Sequence, residues 1–68
     1  MNSAWEIQFN EIDRLVSEIK DATEQRDLLA QNRVDVTQMN KNIALRLELL
    51  KNGVENLREI NKETTEKL

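Results

Sequence analysis

The sequence predicts an all-α protein: an antiparallel helical hairpin, part of a small helical bundle. Three observations predict it. The chain holds no proline and a single glycine, so little interrupts a helix. Apolar residues recur at steps of three and four in both halves, the helical period. The two apolar halves also flank a polar centre, which suits a chain that turns back on itself through a short connection. The reading is one α-helical interaction module over 1–68, with a helix over 4–31, a connection over 32–35 and a helix over 36–64.

The first helix opens at Ser3. Ser3 and Glu6 stand at the spacing of a capping box, in which the hydroxyl accepts from the amide three residues on. Trp5, Phe9, Ile12, Leu15, Val16, Ile19 and Ala22 then form an apolar stripe. Leu15 and Val16 together make it wider than a two-stranded seam requires, so it asks for neighbours on two sides. Leu28, Leu29 and Ala30 carry the helix to about Gln31.

Gln31, Asn32 and Arg33 are a polar break. Asp35 and Gln38 make a second box-like start, with Val34 and Met39 in the two places of a hydrophobic staple. Arg33 falls in the connection, where Arg33→Pro is expected to be mild. The second helix follows Val36, Met39, Ile43, Leu47, Leu50, Val54, Leu57 and Ile60, and Ala44, Leu45 and Leu49 widen it near its middle. Gly53 costs about 1 kcal/mol against alanine and reads first as a tolerated weak point and second as the mark of a close approach by a neighbour. Beyond Ile60 the pattern fades, and fraying is expected there.

One long coiled-coil helix is the alternative. Leu15, Ala22, Leu29, Val36, Ile43, Leu50 and Leu57 keep a heptad spacing, with Trp5, Ile12, Ile19, Leu47, Val54 and Leu68 at the other seam positions. Between these stand Arg26, Arg33 and Asn40. A single polar seam residue can fix register, but three in succession weaken a seam, which favours the hairpin.

Composition excludes several function classes. There is no cysteine and no histidine, so disulfides and thiolate or imidazole metal sites are ruled out. Net charge is −3 with both signs interspersed, without the basic stripe that nucleic acid requires. No apolar run approaches the roughly 20 residues of a spanning helix. Nucleophilic catalysis needs an activated Ser, Cys, Thr or Lys beside a base. Ser3 is used in a cap and Ser17 has no histidine to activate it. Glu55, Glu59 and Glu63 read as a solvated face. No catalytic, cofactor-binding or metal-ligating residue is expected, and the chain is not expected to be an enzyme.

What remains is protein partnership through helical packing, as a homo- or hetero-oligomer. The expected interaction residues are Trp5, Phe9, Ile12, Val16, Ile19, Ile43, Leu47, Leu50 and Val54. Trp5 and Phe9 read first as core packing at one end of the bundle and second as docking anchors, a role in which tryptophan is enriched.

One stretch carries a resemblance. Trp5, Phe9, Asn10-Glu11, Leu15, Glu18-Ile19 and Gln25-Arg26-Asp27 follow, without a gap, the N-terminus of syntaxin-8-like Qc-SNAREs. The second half resembles that family's second N-terminal helix through Ile43, Leu45 and Leu50. The resemblance implies the regulatory helices of a vesicle-fusion protein, recruiting trafficking partners on the cytosolic face of endosomal or vacuolar membranes through an anchor further along the protein. The family bundle usually has three helices and only two fit here. The alternative is a generic coiled-coil assembly subunit.

Overall fold

In a computed structural model, which describes residues 3–66, the chain forms two antiparallel helices, α1 (Ala4–Gln31) and α2 (Thr37–Glu66), packed side by side. The hairpin is an elongated rod of 55 × 19 × 13 Å. The break over 32–36 excludes the single long helix. Seam position Leu68 lies outside the described residues.

Ser3 caps α1 from an extended conformation. Its hydroxyl accepts from the Glu6 amide at 3.1 Å, and its carbonyl accepts from Ile7 N–H at 3.1 Å. At the far end Arg33 turns into the left-handed region with φ 61°. The Arg33 amide donates to Ala30 O and the Val34 amide to Leu29 O, both at 3.0 Å. Those two bonds are the closure of a Schellman cap, which satisfies carbonyls the helix would otherwise leave open. Asn32 Nδ2 covers Leu28 O at 3.0 Å. An arginine sits where glycine is the usual occupant, because only glycine adopts this conformation without a Cβ penalty.

The start of α2 differs from expectation by one residue. Asp35 does not act as the first cap of a box with Gln38. Its Oδ1 accepts from the Thr37 amide at 3.0 Å and the Thr37 hydroxyl at 2.6 Å, a local turn, and the Val36 carbonyl takes the first helical bond, from Asn40. The side chain reaches an amide only two residues on, so it competes with the helix and delays it. The same two Thr37 bonds, the side-chain one first, hold the Asp35 carboxyl below its ordinary range. Gln38 Nε2 donates forward to Asn42 Oδ1 at 3.5 Å. The other end of α2 runs past 64 to Glu66 and shows no break after Ile60. The segment from Asn61 to Glu66 has no apolar residue, but it lacks glycine and proline, and half of it is Lys and Glu, which are good helix formers.

The seam between the helices is thin. Leu15 and Ile43 are the buried apolar side chains at its centre, at 3% and 6% exposure. Ile12, Ile19, Ala22 and Leu29 on α1, and Met39, Leu50, Val54 and Leu57 on α2, are half-buried around them. Gly53 is buried too. A Cβ there would stand 3.2 Å from Ile12 Cγ1 and 3.1 Å from Gln8 Nε2. Gly53 is therefore a point of close helix approach, not merely a tolerated weak point: the missing side chain is what lets Ile12 reach the backbone of α2.

Two of the three polar seam residues find each other. Arg26 Nη1 donates to Asn40 Oδ1 at 3.3 Å across the seam near the connection, and Arg26 also pairs with Asp27 at 2.9 Å. Arg33, the third, forms the cap itself. Residues that would have weakened a continuous coil instead serve the reversal.

Candidate interaction surface

The hairpin has two long flanks, and they differ in chemistry. One is charged. Arg14 pairs with Glu11 and, at 2.7 Å, with Glu18, and Glu18 also faces Arg46 of α2 at 3.7 Å. These carboxylates hold the Arg14 guanidinium above its ordinary pKa, the Glu11 hydrogen bond contributing most. A shallow open groove on this flank is lined by Arg14, Glu18, Asn42 and Arg46 together with Leu15, Leu45 and Leu49.

The other flank is apolar and aromatic. At roughly 100° per residue, Trp5, Phe9, Ile12, Val16 and Ile19 share an arc of about 80° on α1, on the side away from Arg14. Leu47, Leu50 and Val54 share an arc of α2 on the side away from Asn42 and Leu49. The charged groove joins the opposite arcs of both helices, so the two apolar arcs face the same way. An open groove runs along the α2 part, lined by Leu47, Leu50, Lys51, Val54, Glu55 and Arg58.

Trp5 and Phe9 do not pack into the core of the chain. They stack on each other with ring centroids 5.2 Å apart and planes 7° apart, and remain 39% and 47% exposed. A core position would need a neighbour above them, and α2 lies to one side. Val16 and Leu47 are also exposed. Ile12, Ile19, Leu50 and Val54 are half-buried, one edge in the seam and one on the flank. Ile43 is the exception among the expected interaction residues. It is 6% exposed, buried in the seam of the hairpin.

Sequence reasoning left Leu45 and Leu49 out of the interaction set, although they are more than half exposed on the charged side of α2. The signal was present in the apolar girth between Ile43 and Leu50. Ile7, Leu28 and Val34 are exposed singly, and scattered exposed apolar residues need no explanation. Among the described residues no helix is long and apolar enough to cross a membrane. Among them, too, no group of three or more carboxylates is placed to hold a metal ion.

Comparison with protein-family models, with curated proteins and with solved structures finds no match to this chain.

Proposed function

We propose that the chain is a protein–protein interaction module that works by helical packing: a hairpin whose aromatic flank accepts further helix. The observation that carries this is the stacked Trp5–Phe9 pair, held half-exposed at one end of a continuous apolar flank. Large aromatics on a rigid helix make strong contacts when covered, because little side-chain entropy is lost. Leu47, Leu50 and Val54 form an apolar strip edged by Lys51, Glu55 and Arg58, a lining that suits the apolar face of another amphipathic helix.

The test separates docking from core. Trp5→Ala and Phe9→Ala, measured in dilute solution, should lower the unfolding free energy by less than about 1 kcal/mol. Truncation of a buried aromatic costs about 3–5 kcal/mol. Losses of that larger size would make the pair structural and end the proposal. Loss of association with unchanged helicity supports it.

A narrower reading places the module in a membrane-trafficking SNARE, as the N-terminal regulatory helices of a Qc-SNARE at endosomal or vacuolar membranes. The resemblance over residues 5–27 supports it. The parent transcript decides it: a heptad block followed by about 20 apolar residues is expected downstream, and a stop codon directly after Leu68 rejects it in favour of a generic coiled-coil assembly subunit.

A further inference from the structure

We propose that the aromatic flank is covered by a second copy of this chain. The product is a two-fold four-helix bundle in which α1 of each copy lies along α2 of the other. This rests on the interaction-module reading and names its partner.

The levels along the rod match. Within the hairpin Arg26 meets Asn40, Glu18 faces Arg46 and Ile12 approaches Gly53. Extending that register, Trp5–Ile19 occupies the same stretch of the rod as the α2 groove between Leu47 and Arg58. A two-fold axis along the rod, lying in the plane of the flank, keeps every level in place. It sets Trp5 and Phe9 of one copy over Val54 and Arg58 of the other, and Val16 over Leu47. All neighbouring helices then run antiparallel, the arrangement of up-down bundles.

Charge selects this axis over the competing one. A two-fold axis across the rod would lay α1 on α1 and α2 on α2. Carboxylates outnumber bases on α1, whereas α2 is balanced. Stacking α1 on itself therefore opposes like charge, and α1 on α2 does not. The margins agree. Glu6 and Asp13 border the aromatic arc at the levels of Arg58 and Lys51, the two bases lining the α2 groove, and Glu55 is the one carboxylate in that lining. Arg58 also comes level with the aromatic pair, where a cation over a ring face is favourable.

Surface area points the same way. The chain exposes 5602 Å² for 8.0 kDa. A compact monomer of that mass exposes about 4,400 Å². A standard interface removes about 800 Å² from each partner, which brings each copy most of the way to the compact value.

Sedimentation equilibrium of the full chain from low micromolar to several hundred micromolar tests the proposal. A reversible monomer–dimer equilibrium is expected. Val16→Lys and Leu47→Glu should each weaken it at least tenfold with helicity retained, since both positions are exposed in the single hairpin. Mixing the two variants should restore a heterodimer, because the proposed axis places residue 16 against residue 47 of the other copy. If Val16→Lys loses helicity, Val16→Arg carries the mixing test and Val16→Ser the weakening alone. A chain that stays monomeric throughout, or forms a different oligomer, overturns the homodimer. A dimer that both variants leave intact, or that mixing fails to restore, overturns the proposed face. A strict monomer whose aromatics truncate without loss of stability would leave the interaction reading standing with a different partner.

Discussion

Arg33 decides the topology at a single residue. The chain reverses because Arg33 accepts a left-handed conformation and two amides close back onto Ala30 and Leu29. That geometry overturns the expectation that proline would be mild here. Proline cannot reach φ 61° and would delete the amide that bonds Ala30, so Arg33→Pro should cost about 3 kcal/mol or more even though the residue lies in a connection. Arg33→Gly should stabilise the hairpin by about 0.5–1 kcal/mol, because it relieves the Cβ clash at the expense of some unfolded-state entropy. Urea unfolding of the two variants checks both signs. An unchanged or lowered midpoint for Arg33→Gly would mean that other contacts of Arg33 outweigh the strain.

At the scale of the elements, the approach of α1 to α2 is set by Gly53 opposite Ile12. Replacing glycine with alanine in a helix gains up to about 1 kcal/mol. Here the new methyl would crowd Ile12 Cγ1, and Ile12 is β-branched and stiff, whereas the Gln8 amide can swing away. The two effects nearly offset, so Gly53→Ala should lie within about 1 kcal/mol of the native chain. Gly53→Leu has no such balance and should cost about 1–3 kcal/mol by forcing the helices apart. A tolerated Gly53→Leu, seen as an unchanged thermal midpoint, would show that the close approach is dispensable. The helices themselves were legible in sequence because Ser3, the apolar period and the polar break each act locally. Which of its two readings holds for Gly53, and the pairing of Arg26 with Asn40, were not. They depend on which residues of α2 come level with α1, and that register is set by the shape of the cap at Arg33, which no local pattern encodes. The aromatic pair stood between a core and a docking reading for a related reason: a stripe wide enough for two neighbours does not say which part the single available neighbour covers.

For the whole molecule, shape and kinetics follow from the hairpin. A radius of gyration of 15.9 Å compares with about 11 Å for a compact domain of this length. So extended a form leaves the seam thin and limits what a lone hairpin can contribute to its own stability. Folding should nonetheless be fast, because helix formation is local and one short reversal brings the halves together. Without proline or cysteine, no isomerisation or disulfide step can intervene. Refolding by stopped-flow circular dichroism should finish within about milliseconds. A phase of tens of seconds, the signature of proline isomerisation in other chains, would contradict this account.

The cap at Arg33 has a further consequence for architecture. By folding the rod back on itself it brings Ser3 and the far end of α2 to one pole and leaves the reversal alone at the other. A polypeptide entering and leaving at one pole can be spliced into a surface loop of a larger host without disturbing it. Grafted that way, the hairpin becomes a rigid finger that carries its aromatic pair near the knuckle and holds its tip well clear of the host.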